Sequence, residues 1–299
     1  MLPAASVNDA GWPWTEESPQ LADVMPNGQS WPKISIVTPV LNGEAFIEQT
    51  IRSVLLQGYP NYEFLILDGG STDGTLGIIE KYSPWLQCIS EKDNGQSAAI
   101  NRGFRLADGE LIGWQNADDL YGRDSFREAA IAVVEYPDYE IYHGTVSVFA
   151  DTNFQPPWLD EICEEFSQES LFDRMCMMNT SMFFRRTVFD HGVFLNEDLH
   201  YTMDVDYFWQ LSLAGFRYKL VRSMTGYFRW HVESKSARNN GKSDLEGYGL
   251  LKRLCHDERL SVALRRKARA YLRKDFLRSF RYARRNLLKK IVRELIMPV

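Results

Sequence analysis

From Lys33 onward the chain alternates short apolar runs with amphipathic segments, and this alternation constrains its fold more than any other feature of the sequence. Ile34–Thr38 is a β-branched run interrupted by Pro39, as expected of a buried strand that ends there. The apolar residues of 46–55 then recur every four positions, which predicts an amphipathic helix. The same order repeats, with strands predicted at 64–67, 86–90 and 111–114 and helices predicted over 71–82 and 98–106. Strand and helix in alternation indicate an α/β protein with a parallel sheet and right-handed crossovers.

Polar and acidic residues stand where these predicted strands end. Thr38, Asp68, the segment Glu91–Ser97 and the adjacent acids Asp118 and Asp119 all fall at strand ends, and ligands of such sheets bind beyond the carboxyl ends of the strands. Acids at this place repel a bare phosphate, but they can hold ribose or base donors and a divalent cation that itself holds phosphate. Taken alone, the acid pair also fits a helix cap or a turn. Together, the strand ends predict one cleft that suits a metal-bound diphosphate.

Several other classes of protein are disfavoured by motifs that the sequence lacks. Leu67 is followed by Asp-Gly-Gly-Ser-Thr-Asp-Gly and not by the G-x-G-x-x-G of a dinucleotide-binding turn, and there is no P-loop. The four cysteines lie far apart without a C-x-x-C pair, so they indicate neither a zinc site nor a disulfide framework. No apolar run is long enough to span a bilayer, and the acidic N-terminus lacks the basic region of a secretory signal. We therefore expect a cytoplasmic protein.

Charge is distributed unevenly along the chain. Between Arg265 and Glu294 there are 13 Lys and Arg against 2 acids, whereas the rest of the chain carries 21 basic and 38 acidic residues. From Leu264 the apolar residues recur every three or four positions, which predicts a basic amphipathic helix. Such a helix can lie on an anionic membrane surface through residues 264–296, or it can pack on its own domain or on a partner with its charges in solvent. The acidic body argues against nucleic acid as a partner.

Five short motifs in a fixed order carry a family resemblance. They are Ile34–Glu44, Asp68–Thr75, Glu91–Ser97, Asn101–Gly103 and Asn116–Asp119. In this order they resemble the nucleotide-binding half of family 2 glycosyltransferases with the GT-A fold, and the resemblance covers roughly residues 33–240. It implies a mostly parallel central sheet flanked by helices, and an inverting transfer of a sugar from a nucleoside diphosphate sugar with a divalent cation, Mn²⁺ or Mg²⁺.

The resemblance also implies which residues meet the donor. They are Thr38, Pro39 and Glu44 at the nucleoside, Asp68 at the base, Asp93, Gln96, Ser97 and Asn101 along the ribose and donor sugar, and Asn116, Ala117 and Asp118 near the ribose. Two of these acids have a structural alternative, because Glu44 also suits the first turn of a helix and Asp68 also suits a turn before two glycines. Many relatives carry Asp where Ala98 stands here, so any contact made by that acid is missing or replaced.

The cation and the catalytic base come from later motifs. Asp119 is similar to the family's metal-binding acid, and His231, in a segment that resembles Arg-x-His-x-x-Ser, is a second candidate ligand. The segment 200–211 resembles the one that supplies the base. Its usual Glu-Asp pair is replaced by Met203 and Asp204, which leaves Asp204 as the candidate base. A helix cap remains the alternative for Asp204, and a structural histidine the alternative for His231.

These predictions divide the chain into three parts. Residues 1–32 form an N-terminal extension, 33–240 the GT-A catalytic domain (33–123 for the nucleotide sugar and 124–240 for the acceptor side), and 241–299 a basic helical C-terminal region. The expected protein is a metal-dependent glycosyltransferase of the hexosyltransferase type that builds a surface polysaccharide or glycoconjugate on a carbohydrate or lipid-linked glycan. If its basic helix binds lipid, it is peripheral on the inner face of the cytoplasmic membrane. The alternative is a catalytically silent glycosyltransferase-like protein that binds sugar nucleotides or acts as a scaffold.

Overall fold

The computed structural model describes residues 2–4, 10–150, 160–173, 177–235, 238 and 241–274. The chain forms two compact units, residues 1–237 and residues 238–299. The first unit contains the sheet and all the candidate site residues. The three-part division predicted from the sequence stays a prediction.

The first unit alternates strands and helices along its first half and is richer in strands along its second. The strands are β1 (Ile34–Val40), β2 (Tyr62–Asp68), β3 (Gln87–Ser90), β4 (Leu111–Trp114), β5 (Leu120–Tyr121), β6 (Ile141–Ala150), β7 (Asp160–Ile162), β8 (Met182–Arg185) and β9 (Tyr218–Trp230). The helices are α1 (Ile47–Leu55), α2 (Thr75–Glu80), α3 (Gln96–Leu106), α4 (Ser125–Glu135), α5 (Ser170–Asp173), α6 (Arg186–Asp190) and α7 (Met203–Leu213), with a 3₁₀ turn at Asn179–Ser181.

The first four strands form a parallel sheet in the order β3-β2-β1-β4. Val40 lies opposite Asp68, and Asp68 lies opposite Ser90, so the last residues of three neighbouring strands stand side by side. On the other side of β1, Val37 lies opposite Trp114, the last residue of β4. The predicted alternation and the predicted α/β class are confirmed here, and the loops after β1 to β4 share one edge of the sheet.

The rest of the sheet is mixed, in the order β4-β8-β6-β9-β5, with β7 paired to β6. β8 runs antiparallel to both β4 and β6, whereas β6 and β9 run parallel over a long ladder with an irregularity between His143 and Thr145. The short strand β5 pairs with β9, and this pairing places the residues that follow Trp114 beside the end of β9. The segment after β4 and the segment after β9 are therefore neighbours, although about 110 residues separate them.

The sheet has a hydrophobic core on each face because its strand residues alternate. Ile34, Ile36 and Val40 pack on the side of α1, α2 and α4, whereas Val37 packs on the side of α3 and α7. Gly103 in α3 lets this helix lie close to the strands, since a Cβ atom there would come within 2.2 Å of a methyl group of Val37. A side chain at this position would push α3 away from the sheet.

The N-terminal segment, residues 10–32, packs on α1 and on the end of β5. Trp12 and Trp31 are buried, and the indole nitrogen of Trp12 donates to the carbonyl of Tyr121 at 2.9 Å. Arg52 of α1 is buried and donates to the carbonyl oxygens of Pro13 (3.0 Å) and Trp14 (2.8 Å). The guanidinium of one helix residue thus holds the segment in place.

The second unit contains α8 (Lys242–Leu254) and a further helix over residues 262–274. Leu264 and Ala268, four residues apart on this second helix, are buried, so the apolar face of its described part is packed. The predicted membrane-binding stretch 264–296 lies outside the described residues from 275 onward. Among the described helices, none combines the length and the apolar character that a membrane crossing needs.

Candidate functional site

The loops after β1 and β2 are fastened to each other by reciprocal hydrogen bonds. The amide of Asn42 donates to the hydroxyl of Ser71 at 2.7 Å, and the amide of Thr72 donates to the side-chain oxygen of Asn42 at 2.8 Å. Asn42 adopts a positive φ of 53°, a left-handed conformation that asparagine tolerates better than most residues. The amide of Gly43 donates to the hydroxyl of Thr75 at 2.8 Å. This wall of the cleft is therefore built before any ligand binds.

Glu44 and Asp68 both hold these loops. Glu44 accepts a 2.6 Å hydrogen bond from the amide of Gly74, so its charge lies at the N-terminus of α2 and favours that helix. Asp68 is 2 % exposed and accepts from the hydroxyl of Ser90 at 2.6 Å and from the amides of Gly70 and Ser71. Asp68 thus makes the turn that was its structural alternative, whereas Glu44 precedes α1 and binds the N-terminus of another helix, α2. The contacts of both acids with a nucleoside stay predictions.

The remaining residues of the first strand ends lie deeper or closer to β4. Thr38 and Pro39 are buried within β1, and the hydroxyl of Thr38 has no hydrogen-bond partner among the described residues. Ala117 lies against the first loop, with its Cβ atom 3.7 Å from the position that a Cβ of Gly43 would take. Because both side chains are buried, we expect the predicted nucleoside contacts of Thr38 and Pro39 to involve backbone atoms at the carboxyl end of β1.

Asp93 connects the loop after β2 to the start of α3. A Cβ atom on Gly69 would lie 2.7 Å from a carboxylate oxygen of Asp93. The carboxylate of Asp93 can therefore occupy this position only because residue 69 has no side chain. The other carboxylate oxygen accepts from the amide of Gly95 at 2.8 Å. Asp93 thus stands at the cleft edge directly beside the turn that Asp68 makes.

The first two turns of α3 bind the segment that leads into α7. The hydroxyl of Ser97 has two acceptors within hydrogen-bond distance, the carbonyl of Leu199 (3.1 Å) and the sulfur of Met203 (2.9 Å), which share its single hydrogen. The amide group of Asn101 exchanges hydrogen bonds with both backbone groups of Leu195 at 2.9 Å. Both side chains are buried, so the structure places these two predicted donor contacts between α3 and residues 195–203. Sequence reasoning missed this role.

The two adjacent acids face in different directions. Asp118 is 34 % exposed at its side chain, and its Oδ2 lies 3.0 Å from Nε2 of His231, which is 8 % exposed. Asp119 is fully buried; its Oδ1 accepts from the amide of Arg229 at 2.9 Å, and its Oδ2 accepts from the amide group of Asn116 at 3.0 Å. The acid that reaches the cleft is therefore Asp118.

Burial changes the protonation of Asp119. Loss of hydration raises its pKa to about 8, the negative charge of Asp118 adds to the rise, and the donors on Arg229 and Asn116 oppose it. Burial is the larger effect because a carboxylate without solvent pays a high desolvation cost. Near neutral pH the buried acid Asp119 therefore tends to keep its proton.

Arg229 supports the turn that carries the acids, and sequence reasoning did not single it out. Its Nε atom donates to the carbonyl of Asp118 at 2.8 Å, and its guanidinium lies 4.5 Å and 4.6 Å from the ring centres of Phe46 and Phe149. Phe46 also packs edge-on against His231, with 4.7 Å between the ring centres. The signal in the sequence was the position of Arg229 two residues before His231 on β9.

The residues around Asp118 supply too few donor atoms to bind a divalent cation by themselves, so the remaining donors would have to come from a bound substrate and water. Among the described residues there is no group of three or more His, Cys, Asp or Glu that could hold a metal ion. Asp118 and His231 supply two donors, and a cation such as Mg²⁺ commonly takes its remaining oxygens from substrate phosphates and water. Asp119 could join only after losing its hydrogen bond to Arg229 or to Asn116, so its metal role stays a prediction.

Asp204 is the second residue of α7, at the end of the segment that α3 holds. Its carboxylate accepts from the amide of Val205 at 2.8 Å. Burial raises the pKa of Asp204, while the backbone amides of Val205 and Asp204 and, to a smaller extent, the positive charge of Lys235 oppose the rise. Asp206 is buried and accepts from the side chain of Gln210 at 2.7 Å, so it serves the helix. The role of Asp204 as the catalytic base stays a prediction.

Comparison with protein families gives a match over residues 35–193, to the family described as glycosyl transferase family 2. A PGL/p-HBAD biosynthesis glycosyltransferase of Mycobacterium bovis is 29% identical over 238 residues, which cover 78% of this chain and 88% of the relative. The putative teichuronic acid biosynthesis glycosyltransferase TuaG of Bacillus subtilis is 33% identical over 101 residues, which cover 32% of this chain and 40% of the relative.

Two solved structures share the fold. Staphylococcus aureus TarS 1–349 in complex with UDP-GlcNAc aligns with a TM-score of 0.63 and 16% identity over 81% of this chain and 72% of TarS. The mannosyltransferase PcManGT of Pyrobaculum calidifontis, in complex with GDP-Man and Mn²⁺, aligns with a TM-score of 0.54 and 18% identity over 81% of this chain and 70% of that protein. The fold class predicted from the sequence is confirmed.

Proposed function

Because the chain belongs to glycosyltransferase family 2, we propose that it transfers a sugar from a nucleoside diphosphate sugar to a hydroxyl group of a glycan or glycolipid, with inversion at the anomeric carbon. One observation supports the proposal: Asp118, which contacts His231, and Asp204 lie on segments that hydrogen bonds through Gln96 and Lys235 join at the carboxyl edge of the sheet. We assign cation binding to the pair of Asp118 and His231, and proton acceptance to Asp204. Inverting transfer needs both functions on one cleft.

The names of the similar proteins support the donor and the product class. TarS was solved with UDP-GlcNAc, and PcManGT with GDP-Man and Mn²⁺. The mycobacterial relative is named for PGL/p-HBAD biosynthesis and TuaG for teichuronic acid biosynthesis. A sugar nucleotide as donor and a surface polysaccharide or glycoconjugate as product are therefore the proposal for this chain.

On the donor side, Asp118 and His231 would hold the cation between themselves and the diphosphate. A bound Mg²⁺ or Mn²⁺ stabilises the negative charge that develops on the leaving diphosphate. Arg229 of β9 holds the turn that carries Asp118, because its backbone amide donates to the side chain of Asp119 and its Nε atom donates to the carbonyl of Asp118. Asp93 and the loop fastened by Asp68 form the wall that we assign to the nucleoside and ribose.

On the acceptor side, Asp204 takes the proton of the attacking hydroxyl. An ordinary Asp has a pKa of about 3.9 and is too weak a base to remove a proton from a free alcohol, so the transfer occurs as the oxygen bonds to the anomeric carbon. Burial raises the pKa of Asp204 and makes it a better acceptor. The bond to the diphosphate breaks on the opposite face of the sugar, which inverts the anomeric centre.

A donor screen tests the proposal directly. UDP-, GDP- and dTDP-sugars are incubated with the full chain, with and without Mn²⁺, and the nucleoside diphosphate released is measured. We expect release with at least one donor, and a loss on the order of 10²- to 10⁴-fold in Asp204→Asn with donor binding retained. Asp206→Asn is the matched control and keeps its turnover. Donor binding without release by the wild-type chain would instead support the silent, scaffold alternative.

A further inference from the structure

Lys235 connects three segments around the cleft. It lies in the exposed loop after β9, four residues beyond His231. Its ammonium donates to the side-chain oxygen of Gln96 at the start of α3 and to the carbonyl oxygen of His200 at 2.9 Å. His200 stands four residues before Asp204. The loop that carries His231 is thereby tied to the segment that carries Asp204.

The orientation of the Gln96 amide follows from its neighbours. Oδ1 of Asn116 accepts from the indole N–H of Trp114 at 3.0 Å, and an indole nitrogen can only donate, so this atom of Asn116 is its oxygen. Gln96 must then present its NH₂ group to Asn116, at 3.0 Å, and its oxygen to Lys235. The amide group of Asn116 donates onward to Asp119 at 3.0 Å. A hydrogen-bond chain with one direction runs from the ammonium of Lys235 to the buried acid.

The same turn of α3 fixes the residue before Asp204. Ser97, next to Gln96, binds the carbonyl of Leu199 and the sulfur of Met203. Adjacent side chains of one helical turn therefore hold residues 199–203, Ser97 directly and Gln96 through Lys235. This double attachment sets where the carboxylate of Asp204 lies relative to Asn116 and the acids that follow it.

We propose that Lys235 is a positioning residue for Asp204: it ties residues 200–204 to the first turn of α3 and places a positive charge beside the carboxylate that accepts the acceptor's proton. The inference rests on the proposed function, since it takes Asp204 as the base. Lys235 is not part of the proposed cation-binding pair of Asp118 and His231. Its positive charge sets the range of pH in which Asp204 can act as the base.

The charges around Asp204 define the expected direction. Burial favours the neutral acid, whereas the backbone amides of Val205 and Asp204 and the ammonium of Lys235 favour the carboxylate. Titratable groups on the surrounding elements include Asp206 and Tyr207 on α7, and His200 and Tyr201 in the preceding turn. Asp93 is a further one, because it accepts from the amide of Gly95 and a Cβ atom on Gly95 would lie 3.6 Å from the His200 ring. Removing the ammonium takes away one of the groups that oppose burial, while the backbone amides of Val205 and Asp204 remain, so the pKa of Asp204 rises and the base stays protonated to higher pH.

The test is a titration of Asp204 by NMR in the full chain with ¹³C-labelled aspartate and no added substrate, the signal being assigned by its loss in Asp204→Asn. We expect the pKa of Asp204 in Lys235→Met to rise by about half a unit, and in Lys235→Arg to stay at the wild-type value. Lys252→Met, at an exposed lysine of α8, is the control and leaves the titration unchanged. An unchanged pKa in Lys235→Met overturns the proposal.

Kinetics separate this inference from the proposed function. With any donor that turns over, the acid limb of the profile of kcat/KM against pH shifts to higher pH in Lys235→Met, and the rate recovers toward wild type at high pH. A variant that only damages the structure instead loses rate at every pH. His200→Gln, which keeps the backbone carbonyl, leaves the limb in place if the titrating group is Asp204. If no donor turns over in the wild-type chain, the proposed function fails while the NMR titration still decides the role of Lys235.

Discussion

The ring of His231 lies 3.0 Å from the carboxylate of Asp118, although 113 residues separate them in the chain. The pairing of β5 with β9 brings them together, because it places the turn after β4 beside the last residues of β9. Asp119, next to Asp118, is turned inward and bound by the amide of Arg229. The end of β9 and the residue that follows it thus supply a partner for each acid, the backbone amide of Arg229 for Asp119 and the side chain of His231 for Asp118.

Asp118→Asn removes the carboxylate that reaches the cleft while keeping its shape. We expect the Kd of UDP or GDP measured by calorimetry with Mn²⁺ to rise at least about tenfold, since a cation held by two protein groups loses its only charged one. Asp138→Asn, at an exposed turn acid, is the control and binds like wild type. Equal binding by Asp118→Asn would show that the cation does not use this acid.

Asp119 gives the stability of the protein a pH dependence with a definite sign. Its folded-state pKa of about 8 lies above the ordinary value of 3.8, so the folded chain holds a proton that the unfolded chain has released between those values. The free energy of unfolding therefore falls as pH rises through this window and levels off above the folded pKa.

Asp119→Asn cannot ionise and removes that contribution. Urea unfolding without divalent cations, from about pH 5 to about pH 8, should show a less negative slope in this variant, by up to about 1.4 kcal/mol per pH unit. Asp138→Asn should keep the wild-type slope. Parallel slopes for wild type and Asp119→Asn would mean that Asp119 is ionised in the folded protein.

The sequence was sufficient to predict the parallel half of the sheet because its signal is local. β4 ends at its predicted limit, Trp114, where polar residues follow the apolar run, whereas β1 continues through Pro39, its expected end, to Val40. The second half depends on pairings between distant segments. β5 is only two residues long, and β9 pairs with it and also with β6, which lies about 80 residues earlier in the chain. Such pairings leave no periodic pattern within either segment.

The candidate site shows the same limit. Acids at strand ends could be predicted as one cluster, because parallel strands end at one edge. Which of Asp118 and Asp119 faces the cleft depends on a backbone amide of β9, and no side-chain pattern encodes it. Ser97 and Asn101 matched a family motif, yet they bind a segment about 100 residues away. A motif locates such residues on α3 but does not say which neighbour they meet.

The basic C-terminal stretch makes a prediction about membranes. The full chain should float with liposomes that contain anionic lipid, and a chain that ends at Lys274 should float less, because the deletion removes seven basic residues and each contributes about 1 kcal/mol near an anionic surface. Ending at Lys274 keeps the packed helix over 262–274 intact. Liposomes of neutral lipid and high salt are the controls, and equal flotation of both chains would assign the stretch to protein packing.

Arg52 should be a main source of stability for the attachment of residues 10–32. Its guanidinium is buried, donates to the carbonyls of Pro13 and Trp14 and to the hydroxyl of Tyr82, and lies 5.1 Å from the ring centre of Trp14. Arg52→Met keeps most of the side-chain volume but leaves these acceptors without a donor, and unpaired buried polar groups are costly. We expect a loss of about 2 to 4 kcal/mol in the free energy of unfolding. Limited proteolysis should then cut within residues 10–32 before it cuts the rest of the first unit.

Arg123→Met, which removes an exposed ion pair to Glu16 of the same segment, is the matched control and should cost no more than about 1 kcal/mol. Equal losses in the two variants would place the attachment in the buried tryptophans and not in the guanidinium.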